Sequence, residues 1–357
     1  MDVRDVQRYT IGWISPLPLE KTAAKASLDE DYGSISIDGY SYDLGRIGEH
    51  SIVLGIQSRM GTDAAASLAT RMRLAFANID YFMVVGIAGG VPRYGPYGAT
   101  YEIVLGDVVV STPRGNHGGV FRYDTGAWSE NGQLNSSGHT NSPPDAVLAA
   151  VGKLRSEHST TGSVIPDLLK SLRDNIEPKE RSRFEDPGPR NDILYDDDCI
   201  HPQELKREHC EYVCDPTKRS LRRARGTNAK RETDKPIVHY GGIASSNQLQ
   251  KSATKRNQLH LEHDVIAFEM EGAGVMLSHD CLVIRGICDY SDSHKNKRWQ
   301  GYAAATAASY TKELLWNIPP SSRAQQYSKA ALAKKSSMST LRRSAVVANH
   351  QYRGRPQ

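Results

Sequence analysis

Short apolar segments alternate with a helical segment over the first 111 residues, and this alternation limits the possible folds more than any other feature of the sequence. The segments at 9–15, 50–57, 81–86 and 102–111 are rich in Ile, Val, Leu and aromatic residues and predict strands. Residues 61–77 carry Ala and Leu at helical spacing. Strands that alternate with helices are typical of an α/β domain whose sheet has helices on both faces.

The alternation stops near residue 113 and does not resume before 235. This stretch is rich in Gly, Asn, Ser, Pro and charged residues, and a single helix is predicted within it, near 144–157. It also carries an acidic run at 196–198 and a basic run at 218–225. Runs of like charge are usually solvated or disordered, so we expect an irregular insertion here.

The regular pattern returns at Pro236 and predicts the second half of the same domain. Strands are expected at 237–245, 264–270 and 281–288, and helices at 271–278 and 299–316. The pair Pro319-Pro320 follows the last helix and stops it. We therefore predict one domain over 9–318, with the irregular insertion at about 113–235, and a basic, flexible tail at 319–357.

The charge of the chain is divided between an acidic body and a basic tail. Residues 321–357 contain eight Lys and Arg and no acid, whereas the whole chain has a net charge of +4. The preceding residues are therefore acidic overall, unlike the folded body of a nucleic-acid enzyme. We expect no nucleic acid to bind the folded body.

We expect no segment that directs the chain to a membrane or out of the cell. No stretch approaches the ~18 consecutive apolar residues of a membrane span, and residues 1–10 lack the apolar core of a signal peptide. Five cysteines are too few and too unevenly spaced for a disulfide framework in 357 residues. We expect no membrane partner and a cytoplasmic location; the basic run and tail leave a nuclear one open.

Acidic residues follow three of the predicted strands at the point where each strand ends. Glu20 lies just beyond the first strand, Glu269 and Glu271 lie at the end of a later one, and Asp289 follows the next. Ligands of open α/β sheets bind at the carboxyl ends of strands. Any one of these acids alone would more often cap a helix, but together they predict a site. The glycine-rich segment 86–90 allows the backbone to approach a ligand closely.

Five motifs occur in an order and spacing that resemble one superfamily. They are GIAGG at 86–90, LGDVVVS at 105–111, IASSNQ at 243–248, FEMEGAGV at 268–275 and VIRGICD at 283–289. The chain thereby resembles the purine nucleoside phosphorylase and methylthioadenosine nucleosidase superfamily, and especially its fungal branch, often the N-terminal domain of immune-receptor-like proteins. The resemblance covers roughly 9–115 and 236–318. It implies a three-layer α/β/α nucleoside phosphorylase-like fold around a mixed twisted sheet, no cofactor, and a homo-oligomer.

The resemblance also implies roles for single residues. Glu271 would bind the ribose hydroxyls beside Met270 and Glu269, Asp289 would hydrogen-bond N7 of a purine, and Glu20 would orient the attacking water. Leu249 stands where many members carry an aromatic side chain over the base, which puts base stacking in doubt. Asp289 favours purines, since members that cleave pyrimidine nucleosides tend to have Arg there. Substrate-binding loop positions are implied for Gly89, Gly90, Ile87, Ser245, Asn247 and Leu249.

These residue types suit the cleavage of a glycosidic bond. The transition state carries positive charge on the sugar, while electrons move into the departing base. A carboxylate at the ribose stabilises the positive charge, and an acid at N7 makes the purine a better leaving group. We expect burial and the nearby acids to keep a proton on Asp289.

The nucleophile decides between hydrolysis and phosphorolysis. Phosphate needs cationic or backbone donors. The phosphorylases that the chain resembles place an Arg and a hydroxyl residue where Val84 and Ile87 stand here. Glu20 would repel phosphate but suits the activation of water, so we expect hydrolysis of a purine nucleoside to free base and ribose. Phosphorolysis, with Lys21 or Arg114 as a substitute cation, and nucleoside binding without catalysis remain the alternatives.

A cluster of Cys and His lies in the predicted insertion. Cys199, His201, His209, Cys210 and Cys214 fall within sixteen residues, which is compatible with a structural zinc site. Their spacing fits no standard template, so we expect no metal. His294, which follows Asp289 in the next loop, is expected to be a polar loop residue.

Overall fold

The computed structural model describes residues 2–95, 101–115, 117–130, 134–138, 140–205, 208–221, 235–327 and 329–330. Its helices are α1 Pro18–Ala26, α2 Thr62–Ala75, α3 Asp145–Thr160, α4 Ile165–Asp174, α5 Cys210–Val213, α6 Ala253–His263, α7 Gly272–Met276 and α8 Gln300–Asn317. Its strands are β1 Ile11–Ser15, β2 Glu30–Ile37, β3 Tyr40–Ile47, β4 His50–Ile56, β5 Tyr81–Gly90, β6 Arg93–Tyr94, β7 Tyr101–Glu102, β8 Val108–Ser111, β9 Val120–Trp128, β10 Leu134–Gly138, β11 Ile193–Tyr195, β12 Arg219–Leu221, β13 Val238–Ser245, β14 Val265–Glu269 and β15 Cys281–Asp289. The predicted α/β fold class is confirmed.

Eleven strands form one mixed sheet, and part of it closes on itself. The order is β10-β9-β13-β8-β15-β5-β1-β4-β3-β2, and β14 pairs with both β13 and β5. Since β5 pairs with β15, β15 with β8, β8 with β13, β13 with β14, and β14 with β5, these five strands make a closed ring. The ring brings the ends of β5, β14 and β15 together, so residues at these ends can share one site.

The central strands were visible in the sequence because they are buried on both faces. Every residue of β1 and β15 is buried, and so is nearly every residue of β5 and β13. Such strands read as continuous apolar runs. The edge strand β2 is largely exposed or half-buried and is rich in polar residues, so neither it nor its hairpin partner β3 was predicted.

The segment 102–111 is not one strand as predicted. β7 ends at Glu102 and β8 begins at Val108, because a buried turn separates them. Gly106 adopts a φ of +91°, and Asp107 Oδ2 accepts a hydrogen bond from Val104 N at 3.0 Å. Asp107 Oδ1 accepts another from Ile237 N at 2.9 Å, which ties the turn to the start of β13.

Part of the segment predicted to be an irregular insertion belongs to the regular fold. β9 pairs with β13 inside the main sheet, and α3 packs against α8 together with α4, a helix that was not predicted. Glu313 of α8 accepts hydrogen bonds from Val164 N at 3.3 Å and Ser163 Oγ at 3.2 Å, between α3 and α4. Helix α6, which precedes β14, was also missed.

The charge runs are partly paired. In the acidic run, Asp197 Oδ1 lies 2.5 Å from Nη2 of the buried Arg256, and Asp198 Oδ2 lies 2.6 Å from Lys218 Nζ. Half of the basic run, 222–225, lies outside the described residues. The acidic run is therefore anchored to α6 rather than simply solvated.

The beginning of the predicted tail contacts the body. Residues 322–327 are helical, and the Tyr327 hydroxyl donates to Asp5 Oδ2 at 2.7 Å. Residues 331–357 lie outside the described part of the chain. Among the described residues, no helix combines the length and the apolar character needed to cross a membrane.

Candidate active site

A cavity of about 630 Å³ opens where β1, β5, β14 and β15 end. These strands or the segments that follow them contribute Glu20, Ile87, Gly89, Glu269, Met270, Glu271 and Asp289 to its wall. The structure therefore brings together the acids that the sequence placed at three separate strand ends.

Glu20 lies in the first turn of α1 and is fixed by two backbone donors. Leu17 N donates to Oε2 at 2.6 Å, and Ile87 N of β5 donates to Oε1 at 2.7 Å. Burial, aided by the nearby charge of Glu271, raises the pKa of Glu20 to about 8, although Arg285 works in the opposite direction. Glu20 is therefore largely protonated at neutral pH and becomes a stronger base than an ordinary carboxylate once it ionises.

Arg285, in the middle of β15, holds two acids of the site together and was not predicted as a site residue. It is fully buried, and its Nη2 donates to Glu269 Oε2 and, at 3.1 Å, to Glu271 Oε2. Burial disfavours its charge, but Glu269, Glu271 and Glu20 keep its pKa above the ordinary value. One signal was available: an Arg inside an apolar strand requires buried anionic partners.

The two acids of the FEME segment, Glu269 and Glu271, differ in the hydrogen bonds that their carboxylates accept. Glu269 accepts hydrogen bonds from Arg285 and from the backbone N–H groups of Glu271 and Gly272, at 2.9 and 2.8 Å. Its oxygens are thus bound within the protein. Glu271 accepts from Gly61 N at 3.2 Å and from Arg285, and burial raises its pKa. Glu269 thus accepts four hydrogen bonds from the protein and Glu271 accepts two, although both acids line the cavity.

Asp289 ends β15 and contacts a lysine. Its Oδ1 accepts from Ser291 N at 2.8 Å, and its Oδ2 lies 3.1 Å from Lys295 Nζ. Burial disfavours the charge of Lys295, but Asp289 outweighs it and raises the pKa of the lysine. We expected neighbouring acids around Asp289, and the charged group that contacts it is a cation. No motif in the sequence pointed to Lys295.

Two glycines of β5 allow the acids to approach the strand. A Cβ at Gly86 would collide with Glu20 Oε1 and lie 2.6 Å from Arg285 Nη1. A Cβ at Gly89 would collide with Ser291 Oγ and lie 2.5 Å from Asp289 Oδ1. The glycine-rich segment thus makes room for protein carboxylates as well as for a ligand.

The predicted loop residues divide into two groups. Gly89, Ile87 and Leu249 line the cavity, whereas Gly90, Ser245 and Asn247 do not. Gly90 packs against the core residues Ile103 and Ile287. Ser245 Oγ accepts a hydrogen bond from Ala273 N at 3.1 Å. Asn247 Oδ1 accepts from Thr62 N at 2.8 Å and thereby holds the start of α2.

Two aromatic side chains of the wall were missed. Tyr123 of β9 and Phe268 of β14 line the cavity and pack edge to face, with ring centroids 6.2 Å apart. Tyr123 lies in the stretch that was predicted to be irregular. The two rings supply aromatic surface that Leu249, half exposed, does not.

The cations suggested as substitutes for a phosphate-binding Arg lie elsewhere. Lys21 Nζ is 2.6 Å from Asp43 Oδ2, and Arg114 Nη1 is 2.8 Å from Asp264 Oδ2. Neither residue lines the cavity, whose cationic residues are Arg183, Lys251, Lys295 and Lys297.

Solved structures with a similar chain path establish the fold. Futalosine hydrolase of Helicobacter pylori has a TM-score of 0.52 at 16% identity, over 86% of this chain and 97% of that one. The 5′-methylthioadenosine/S-adenosylhomocysteine nucleosidase of Neisseria meningitidis, in complex with methylthio-immucillin-A, has a TM-score of 0.53 at 16% identity, over 87% and 99%. The chain has the nucleoside phosphorylase-like fold. At 16% identity, the comparison with these two proteins supports the fold of the chain and not its activity.

A sequence relative comes from a fungus. A nucleotide-binding leucine-rich repeat (NLR)-like protein of Hyaloscypha variabilis is 39% identical over 319 residues, which are 88% of this chain and 30% of that protein. The chain thus spans less than a third of that relative. No family model matches the chain.

Proposed function

We propose that the chain hydrolyses the N-glycosidic bond of a purine nucleoside and releases the free base and ribose. The observation that carries this proposal is the convergence of Glu20, Glu271 and Asp289 on one cavity from three strand ends. Three acids in one site can serve the nucleophile, the sugar and the leaving group separately. The nucleosidases named above share this fold, which supports the same class of reaction.

Glu20 acts on water. In its ionised form it accepts a proton from the water molecule that attacks the anomeric carbon. The bonds from Leu17 N and Ile87 N hold the carboxylate in one orientation, and the raised pKa makes it a competent base near neutral pH. The water oxygen then bonds to the sugar as the bond to the base breaks.

Asp289 and Glu271 act on the two fragments. Asp289 takes up a proton from Lys295, 3.1 Å away, and donates it to N7, so that the base leaves as a neutral purine; Lys295 also holds the carboxyl in place. Glu271 hydrogen-bonds the ribose hydroxyls and stabilises the positive charge on the sugar, with Met270 packed against the ring. Glu269 and Arg285 keep Glu271 in position.

Water rather than phosphate is the proposed nucleophile. Val84 and Ile87 carry no charge, and Ile87 N, the nearby backbone donor, is already bound to Glu20. Losing one charge-assisted contact costs roughly 1.5–3 kcal/mol, which is at least about tenfold in phosphate affinity. The negative charge of an ionised Glu20 weakens phosphate binding further.

A nucleoside panel with and without phosphate tests the proposal. Inosine, adenosine, guanosine and 5′-methylthioadenosine are incubated in phosphate-free buffer, and base and free ribose or methylthioribose are quantified. Added phosphate should not accelerate cleavage, no sugar 1-phosphate should accumulate, and Glu20→Gln should abolish the reaction. Lys21→Met is the matched control and should cleave normally, because Lys21 points to Asp43. Strict dependence on phosphate would overturn the proposal and direct attention to Arg183, Lys251 and Lys297.

Binding without turnover is the second candidate. It is favoured by the NLR-like relative, of which this chain matches less than a third. In that case calorimetry would detect a nucleoside that binds the wild-type protein and not Glu271→Gln, while no base is released from any substrate of the panel.

Assembly and location complete the proposal. We place the protein in the cytoplasm as a homo-oligomer. Light scattering coupled to size-exclusion chromatography tests the assembly, and a monomer at all concentrations would contradict it. Microscopy of the tagged full-length protein in a fungal cell tests the location.

A further inference from the structure

Three potential metal ligands lie close together in the segment between β11 and β12, beside the loop that follows β15. They are His201 Nδ1, Cys210 Sγ and Cys214 Sγ, and these atoms all lie within 4.8 Å of one another. His201 Nδ1 is 3.3 Å from Cys214 Sγ and 3.4 Å from Cys210 Sγ. His201 and Cys214 are buried, and Cys210 is half-buried. None of the three lines the cavity or takes part in the proposed reaction.

The separations match those of a tetrahedral zinc site. Zinc binds thiolate sulfur at about 2.3 Å and imidazole nitrogen at about 2.0–2.1 Å, so a tetrahedral angle sets the sulfur and nitrogen roughly 3.6 Å apart. The two observed separations are slightly shorter than this value. A shift of a few tenths of an ångström would admit the ion.

A hydrogen bond at His201 Nε2 leaves His201 Nδ1 free to bind a metal ion. His201 Nε2 lies 3.1 Å from the carbonyl oxygen of Leu205. When Nε2 donates to this oxygen, the free lone pair of the imidazole is on Nδ1, which faces both sulfurs. Histidines that bind metal usually donate their other N–H to an acceptor in this way.

We propose that His201, Cys210 and Cys214 bind one Zn²⁺ ion that ties His201 to the two ends of α5. Two thiolates and an imidazole favour Zn²⁺ over Mg²⁺ or Ca²⁺, which prefer oxygen ligands. The segment already contacts that loop, because His201 N donates to Ser293 Oγ at 2.9 Å. The ion would stiffen the segment that makes this contact, and a fourth ligand from the loop would link the two directly.

His294 is the candidate for the fourth ligand. Its ring is buried and stacks on Tyr195 at 3.8 Å, with its centroid 6.3 Å from that of His201. Its Nε2 has no hydrogen-bond partner among the described residues. A rotation of this side chain toward the sulfurs would satisfy that nitrogen and complete a Cys₂His₂ set; otherwise water takes the fourth position.

Metal binding should release protons from the two cysteine thiols, and this release can be measured. An unperturbed thiol has a pKa of about 8.5 and is mostly protonated at neutral pH. Both thiols are therefore protonated when no ion is bound, and they must ionise to become ligands. Each Zn²⁺ should release two protons at neutral pH.

Metal titration of the full-length protein tests the site. The protein is purified with a reductant, freed of metal by a chelator, and titrated with Zn²⁺ or Co²⁺. We expect one equivalent to bind, with release of two protons in weak buffer and with the thiolate charge-transfer and tetrahedral d–d bands of Co²⁺. Cys210→Ser and Cys214→Ser should each lose these bands and weaken zinc binding at least about tenfold. His294→Ala should weaken binding by a similar factor if His294 is the fourth ligand and leave it unchanged if water is.

A neighbouring histidine provides the matched control. His209 precedes Cys210 but is exposed and stands outside the cluster, so His209→Gln should keep full metal binding. Circular dichroism verifies that each variant is folded. Binding of less than about a tenth of an equivalent by the folded wild-type protein, or equal affinity in Cys214→Ser, would overturn the proposal.

Discussion

Lys295 Nζ lies 3.1 Å from Asp289 Oδ2, and the two side chains are 20% and 10% exposed. The proposed acid of the site is thus paired with a cation from its own loop, six residues further along the chain. An ion pair in such a setting is screened far less than one on the surface. In the proposed reaction Lys295 therefore acts through Asp289, by holding the carboxyl toward the cavity.

A double-mutant cycle on this pair should be strongly non-additive. Asp289→Asn cannot donate a proton to N7, so kcat should fall by about 10²–10⁴. Lys295→Met should lower kcat less, and the double variant should be no slower than Asp289→Asn, because residues in contact are coupled. Steady-state kinetics on the preferred nucleoside provide the three values. Lys297→Met is the control, since Lys297 also lines the cavity but is exposed. Multiplying losses in the double variant would show that Lys295 acts independently.

The pH dependence of kcat/KM should report Glu20. This ratio follows the ionisation of the free enzyme, and burial raises the pKa of Glu20 to about 8. Because the base must be ionised, the rising limb of kcat/KM should be centred at about pH 8. A profile measured with a substrate that does not itself titrate in this range is the required experiment. A rising limb centred near the ordinary carboxyl value of 4.5 would contradict the assignment.

The buried Glu20 carboxyl should make the folded protein less stable as the pH rises. Between 4.5 and about 8 the folded protein holds a proton that the unfolded chain has lost, so stability falls with rising pH over this window. Glu20→Gln removes this pH dependence, but the variant loses one of the two hydrogen bonds from the backbone. At about pH 9 the free energy of unfolding of Glu20→Gln should therefore exceed that of the wild-type protein by about 1–3 kcal/mol. Thermal unfolding of both proteins from about pH 5 to about pH 9 measures the difference. A Tm difference that does not change with pH would refute the buried-acid explanation.

Gly86→Ala should damage the site. The new Cβ would collide with Glu20 and lie 2.6 Å from Arg285 Nη1, and both side chains are held by buried hydrogen bonds. Overpacking of this kind usually costs about 1–3 kcal/mol, and displacement of Glu20 should lower kcat by more than about tenfold. Gly152→Ala in α3 is the matched control, because nothing lies within 4 Å of its Cβ position and Ala favours a helix. Wild-type turnover in Gly86→Ala would mean that Glu20 tolerates displacement.

The strands around the site were predictable because each is buried on both faces. Apolar runs marked β1, β5, β14 and β15, and the acids at or beyond the ends of β1, β14 and β15 marked the edge where a ligand binds. Those two signals are local in sequence. They placed Glu20, Glu271 and Asp289 on a common cavity before any contact was known.

What was missed depends on contacts between distant segments. Tyr123 reaches the cavity because β9 joins β13, and nothing near Tyr123 in the sequence signals that pairing. Lys295 looks like a solvated loop cation until the fold places it on Asp289. The hairpin β2-β3 lies at a sheet edge, where polar residues hide the strand pattern.

Helix α8 is buried on almost all of its surface. Every residue from Gly301 to Leu315 is buried, since α1, α3 and α4 pack around the helix and Ala303 O approaches Gly286 of β15. A shortened protein that splices 9–115 directly to 236–318 would keep every recognisable motif and lose α3 and α4. About four turns of an Ala-rich helix would then lose much of their cover. Attempts to trim this protein to its motif-bearing halves should therefore yield aggregates, and the intervening stretch sets the lower limit on a chain that folds.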